Sequence, residues 1–421
     1  MFALYWSAVL TIESDPWSLI RVDVPDLPQA QMTSAYGSVL TEPPEDPNLS
    51  WRIEPIPELD EVVADKAISA LNVAPWHDLG LLGEGVRVAV FDPQWLNLEL
   101  YAEELGDFET HDCSQHRSCS TPIDSLRVRY SWEQGAHGVA CAEVIEDIAP
   151  EAELHLVRVN GLTTLENAVD WAIREEIDVI SMSLSFFNES FYDGTGAINA
   201  QVDRLSEAGI LMVTSAGNYA TEHWSGSFKD RDSDSHHDFD SSEWGLPIYW
   251  SAGTRRAYLT WDQYGLCGES DLDVYVYNDE GNLVGRSTNT QDRDANNCQP
   301  VERVSVQASE EGWYFLRVHH VRGAPDIRMN ILARGGQVWM GNASGSITDP
   351  GTHPLALTVG AVRAHDYLFN EVEYFSSQGP SLSGHAKPDI SGPDGLSTFT
   401  YGPTNFYGTS ASTPAVVAAI A

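Results

Sequence analysis

Four residues of the chain have side-chain types suited to acyl transfer, and each sits where a regular element begins or ends. Asp92 closes the apolar run VRVAVFD, His137 opens HGVACAEVIEDI, Asn218 closes MVTSAGN, and Ser410 lies in the turn of GTSASTPAVV. A hydroxyl is a poor nucleophile at neutral pH, so Ser410 requires a base within hydrogen-bond reach, and an imidazole with an ordinary pKa near 6.5 suits that task. His137 takes this role. A buried carboxylate holds such a ring in one tautomer and stabilises its protonated form, which assigns Asp92. As a carbonyl carbon turns tetrahedral its oxygen gains negative charge; the Asn218 amide and the Ser410 backbone N–H are the donors for it, one such donor being worth roughly 3–4 kcal/mol. The helix dipole at Ser410 acts in the same direction.

The elements that must bring these residues together are legible in the periodicity. VRVAVFD is a continuous apolar run behind a glycine pair, as expected of a strand buried on both faces of a parallel sheet. ELHLVRV, IDVISMSLS, ILMVTSAGN and LALTVGAV repeat the pattern. Between them Ala140, Val144 and Ile148, and then Leu165, Val169 and Ile173, recur at helical spacing. Strands alternating with helices predict an α/β fold, a doubly wound and mainly parallel sheet. Its carboxyl edge, where ligands gather in such sheets, receives Asp92 and Asn218. Ser410 falls at a glycine-containing turn before a helix that carries Pro414 in its early turns, where the ring is tolerated.

Over residues 226–336 the period changes to two. Leu272, Val274 and Val276 alternate with polar neighbours, as do Ile327, Met329 and Ile331, and NDEGN supplies a turn. This predicts an antiparallel β-sandwich inserted into the α/β domain. Four segments follow: residues 1–78, with the Pro-rich acidic linker TEPPEDPNLS; a first catalytic part, 79–225; the insert, 226–336; and a second catalytic part, 337–421.

Taken in order, GEGVRVAVFD, HGVACAE, VISMSLS, SAGN, SITDPGTHPLALTVGAV, YFSSQGP, AKPDI and GTSASTP resemble the subtilisin-like serine peptidases over residues 80–225 and 337–421. The resemblance implies a triad of Asp92, His137 and Ser410 in subtilisin's own chain order, with Asn218 as oxyanion donor. It further implies that Ser183, Leu184 and Ser185, with Ser215, Ala216 and Gly217, wall a cleft where substrate adds as a β-strand. Protein or peptide substrates, no cofactor for catalysis, room for a structural calcium, a monomeric state and a secreted or cell-surface location are implied as well. Residues 1–78 would then hold the remnant of an inhibitory prosegment. The chain departs from the family pattern where Pro93, Gln94 and Trp95 replace a small residue and Gly, and where Val139 and Ala140 stand in place of a second His. Further helices are also expected after Ala421, which lies eleven residues past Ser410.

Composition limits the alternatives. The 421 residues suggest two to three folding units, and 42% apolar with 10% aromatic residues can fill their cores. Against 62 Asp and Glu stand 23 Lys and Arg, a formal net charge of −39, with Lys only at positions 66, 229 and 387. Such a chain repels a polyanion and has no basic cluster to release counterions, which argues against nucleic acid as a partner. No stretch approaches the ~20 apolar residues of a membrane span. Residues 1–10 are apolar but lack both the basic flank and the small-residue cleavage pattern of a signal peptide, so export rests on the resemblance.

The five cysteines suggest two local bridges, Cys113 with Cys119 and Cys267 with Cys298, leaving Cys141 as a small buried hydrophobe. HDCSQHRSC at 111–119 also invites zinc, but its spacing matches no known two-Cys, two-His pattern, and the bridge is the stronger expectation. DRDSDSHHDFD at 230–240 has alternating carboxylates without the Gly and distal Glu of a calcium loop, which favours a solvated acidic loop. Through DLDVYVYNDEGNLV and EEGWYFLRV the insert resembles modules attached to secreted bacterial peptidases, serving either to bind protein or polysaccharide or as a spacer. The expected function is a serine endopeptidase acting through an acyl-enzyme. A serine esterase is disfavoured because GTSAS is not the G-x-S-x-G elbow. A catalytically inactive binding protein is the rival, supported by the unusual stretch 93–95 and by where the sequence stops.

Overall fold

The structure, a computed structural model, describes residues 65–421 except 103, 115–116, 125–134, 240–243, 267, 292–298, 366 and 370, together with three strands ahead of them. Those three, Trp6–Ile12, Asp15–Val24 and Trp51–Pro55, pair antiparallel. The expected linker at 41–50, Cys267 and Cys298 lie outside the described residues.

Seven strands form one parallel sheet: β1 (Arg87–Asp92), β2 (Phe108–Asp112), β3 (Glu153–Arg158), β4 (Val179–Met182), β5 (Leu211–Ser215), β6 (Leu357–Arg363) and β7 (Ile390–Asp394). Their order is β7-β6-β5-β4-β1-β3-β2, every pairing parallel. Four helices cover its faces: α1 (His137–Ile148), α2 (Leu162–Arg174), α3 (Gly196–Glu207) and α4 (Thr409–Ile420). This is the doubly wound α/β sheet that the apolar runs predict. The runs did not signal β2 and β7, and the reason is positional: both are edge strands, and FETHD and ISGPD have no continuous apolar run because they pair on one side only.

Burial along β1 explains its composition. Val88 and Val90 join a core with Val139, Ala140 and Val144 of α1 and Ala411 and Ala415 of α4. Ala89 and Phe91 join a second core with Leu165 and Val169 of α2 and Ile198 and Val202 of α3. Successive side chains point to opposite faces, both faces are covered, and so every position from Val88 to Phe91 is apolar until the strand ends at Asp92. From β1 the chain builds β3 and β2 on one side and β4 to β7 on the other. The strand order therefore reverses at β1, and Asp92 stands at the carboxyl end of that reversal, where open α/β sheets bind their ligands.

Between β5 and β6 the chain forms a five-stranded and a four-stranded antiparallel sheet, running from His223–Ser227 to Gly336–Val338. Leu272, Val274 and Val276 from one sheet and Met329, Ile331 and Ala333 from the other share a core with Trp250, Trp261 and Leu316. The alternation read from the sequence is the alternation of burial. Leu316 is fully buried on the central strand Gly312–Gly323 of the larger sheet. Leu316→Ala should lower stability by about 2–5 kcal/mol, the usual cost of a cavity of that size. Denaturant unfolding followed by circular dichroism checks this, and an unchanged midpoint would contradict the shared core.

Candidate active site

Asp92 ends β1 with no exposed surface. Its Oδ2 accepts a hydrogen bond from His137 Nδ1 at 2.6 Å, and its Oδ1 accepts one from the Gln94 backbone N–H at 2.8 Å. The Asp92 carbonyl accepts from the buried Trp95 indole at 2.7 Å and from Val159 N at 3.1 Å. Both ends of the residue are thus fixed. With Nδ1 donating to the carboxylate, the lone pair of a neutral His137 ring is on Nε2. Burial pushes the pKa of this imidazole down, but the charge of Asp92 and its hydrogen bond outweigh that, and the net shift is upward from the ordinary histidine value. The position after His137 has no room for a side chain. A Cβ on Gly138 would lie 2.7 Å from Asp92 Cβ and 2.9 Å from the Trp95 ring.

Ser410 is the second residue of α4, half-buried, behind Gly408, whose φ of 101° lies in the left-handed region. The Ser410 carbonyl accepts from Ser183 Oγ at 3.1 Å and from Cys141 Sγ at 3.7 Å. Cys141 stands one turn along α1 from His137, and its sulfur lies with ring and carboxylate atoms of His137 and Asp92 inside 4.8 Å. The start of α4 is therefore held against the start of α1, which brings the Ser410 backbone to the imidazole. Among the described residues no hydrogen bond joins the Ser410 hydroxyl to His137; without substrate such bonds are often long.

Asn218 follows β5. Its Oδ1 accepts from the Thr409 N–H and the Thr409 hydroxyl, both at 3.0 Å. A backbone N–H can only donate, so the amide's acceptor end is assigned and Nδ2 is left as a donor beside the turn. Gly408 packs against it, and a Cβ there would approach Nδ2 to 2.8 Å. The Gly408 N–H in turn donates to Asp394 Oδ2 at 3.0 Å. Burial pushes the Asp394 carboxyl up to about 6, while this hydrogen bond opposes the shift.

The six residues expected to wall a substrate cleft are divided in their use. Ser183 and Gly217 hold the site itself, Ser183 through its bond to Ser410 and Gly217 through an N–H donated to Thr409 Oγ1 at 3.2 Å. Ala216 donates its N–H to Val359 in the neighbouring strand, and Ser215 is the last residue of β5. Leu184 and Ser185 are half-buried beyond the end of β4. On the other side, Phe406 meets the His137 ring edge-on at 6.0 Å and stacks on Tyr401.

A profile of the subtilase family matches residues 83–253 and 267–421. The chain belongs to the subtilase family. Among curated relatives, the thermostable alkaline protease of Halalkalibacterium halodurans is 28% identical over 167 residues, 36% of this chain and 40% of that protein. Subtilisin E of Bacillus subtilis is 27% identical over 166 residues, 36% of this chain and 39% of that protein. The chain thus matches less than half the length of these relatives. The Clostridium perfringens CspB protease shares the fold, with a TM-score of 0.56 at 15% identity over 84% of this chain and 86% of that one.

In this subtilase the stretch Pro93, Gln94 and Trp95, which replaces the family's small residue and Gly, forms a turn that clamps Asp92. Val139 and Ala140, in the place of the family's second His, are both buried core residues. Thr409 and Asp394 are absent from the residues picked out by sequence, where Gln94 and Trp95 entered only as part of a departure from the family pattern. Asp394 had no legible signal, because ISGPD, the edge strand it ends, carries no continuous apolar run. The stretch 93–95 stood out as a departure but not as a clamp, because both of its bonds to Asp92 use a backbone group. The bridge Cys113–Cys119 is formed and Cys141 is free and buried. No helix of the described residues is long and apolar enough to cross a membrane.

Gly138→Ala should push apart Asp92 and α1. The expected outcome is a His137 titration midpoint below that of the parent, followed by NMR, with a stability loss of about 1–3 kcal/mol from overpacking. A variant with an unchanged midpoint and unchanged stability would show that the contact is not as tight as the geometry has it.

Proposed function

We propose that this subtilase is a serine endopeptidase in which Asp92, His137 and Ser410 form the triad and Asn218 supplies an oxyanion donor. The observation that carries the proposal is the 2.6 Å bond from His137 Nδ1 to the fully buried Asp92, at the end of α1 whose Cys141 thiol contacts the Ser410 carbonyl. His137 Nε2 removes the Ser410 hydroxyl proton as Oγ bonds to the peptide carbonyl carbon. Asp92 steadies the imidazolium so formed. The carbonyl oxygen, now negative, takes hydrogen bonds from Asn218 Nδ2 and the Ser410 N–H. His137 returns the proton to the leaving amine as the C–N bond breaks, leaving an ester on Ser410. Water, deprotonated by the same ring, then hydrolyses that ester and restores the hydroxyl.

Protein or peptide substrates follow from this chemistry. Leu184 and Ser185, beyond the end of β4, are the proposed backbone wall for an extended substrate. Export is proposed on the bridge Cys113–Cys119, since disulfides persist in oxidising compartments.

A fluorophosphonate probe should label the protein at Ser410 and leave Ser410→Ala unlabelled; equal labelling of the two would sink the assignment. Asn218→Ala should lower kcat by about 10²–10³ with little change in KM. The base acts only when neutral, and its pKa is raised. Activity should therefore fall on the acid side with a midpoint above the ordinary histidine value of 6.5. A kcat/KM profile flat from pH 5 to 8, roughly the span where histidine titrates, would exclude His137 as the base.

A further inference from the structure

The edge of the sheet formed by β2 and β3 carries a cluster that the peptidase chemistry does not use. Glu109 and His111 stand two residues apart on β2, hence on one face, and His155 of β3 pairs in register with Glu109. His111 Nε2 lies 3.3 Å from His155 Nδ1, and Glu109 Oε2 lies 3.6 Å from the first and 3.8 Å from the second. A hydrogen bond between the rings accounts for the shortest distance. It does not account for a carboxylate oxygen within reach of both. Two ligands of a tetrahedral zinc ion, each bound at about 2.0–2.2 Å, stand roughly 3.3–3.5 Å apart, so the three atoms are spaced close to three corners of such a site.

The surroundings favour a metal. Trp171 of α2 packs on both rings, with centroids 4.4 Å from His111 and 5.6 Å from His155. Among the described residues His155 Nε2 is buried with no hydrogen-bond partner, so the ring's polar contacts are on its Nδ1 side. Around His155 the charges of Glu109, Glu153 and Glu175 face that of Arg87, a net negative setting. The bridge Cys113–Cys119 removes both thiols of HDCSQHRSC from metal binding, and His111 of that same segment turns to β3 instead. The acidic loop gives no comparable site. Its Asp230 and Asp238 oxygens already accept the N–H groups of Ser233, Asp234, Ser235 and Arg231.

We propose that Glu109, His111 and His155 bind a zinc ion that fastens the edge strand β2 to β3, with the fourth position open to water. The ion would act on the stability of this edge, independently of the triad.

The test uses the full chain carrying Ser410→Ala, which prevents self-digestion, dialysed against buffered zinc chloride and measured for bound zinc by atomic absorption. The proposal expects one zinc per chain at micromolar free metal, and a melting temperature that rises with zinc. His111→Gln and His155→Gln should each weaken binding by at least 10-fold, about the smallest loss seen when a group supporting a metal ligand is removed, and abolish the zinc-dependent rise. Circular dichroism in chelator checks that the variants fold. Glu109→Gln, at a side chain 72% exposed, supplies the same comparison should a histidine variant unfold. Absence of bound zinc in the parent, or binding unchanged in these variants, overturns the proposal. So does binding lost instead on Cys141→Ser, which would place the ion beside His137.

Discussion

A single buried carboxylate governs the arrangement of this chain. Asp92 has no contact with solvent, and an ion in that position without partners would be costly enough to neutralise itself or unfold its surroundings. Its negative charge is compatible with the fold because donors converge on it: His137 Nδ1 on one oxygen and the Gln94 N–H on the other. The same two bonds that make the charge tolerable also orient the imidazole. Stability and chemistry here have one cause.

The rest of the α/β layer brings the turn of Ser410, the proposed nucleophile, to that pair. Parallel strands place Asp92, Asn218 and Asp394 along one edge of the sheet, since each ends or follows a strand. Asp394 and Asn218 hold the turn at Gly408 and Thr409, while Ser183 and Cys141 hold the first turn of α4 through the Ser410 carbonyl. Four contacts from three strands and a helix thus position one hydroxyl. The antiparallel sheets between β5 and β6 have a separate core and lend none of these bonds.

Much of this was legible in the sequence, for identifiable reasons. Strands buried on both faces leave an unbroken apolar run, so β1 and β3 to β6 announced themselves, and the polar residue ending such a run is conspicuous. That is why Asp92 and Asn218 could be picked out. Edge strands β2 and β7 leave no such run, so Glu109 and Asp394 were hidden, and His111 was visible only as part of HDCSQHRSC. The Pro93 to Trp95 stretch read as a departure that could disturb the turn, because sequence shows side chains and the turn is built largely from the Gln94 N–H and the Asp92 carbonyl. The pairing of His111 with His155 spans 44 positions and depends on strand order, which periodicity does not give.

The central claim is that Ser410 becomes esterified by the acyl half of a peptide under the control of His137. Rapid acid quenching of the protein with an activated ester of a short peptide, followed by tandem mass spectrometry, tests it directly. The account predicts an acyl group on Ser410 that forms in a burst and is absent from His137→Ala. An acyl group carried elsewhere, on Cys141 for example, or turnover with no acyl-enzyme at all, would contradict it.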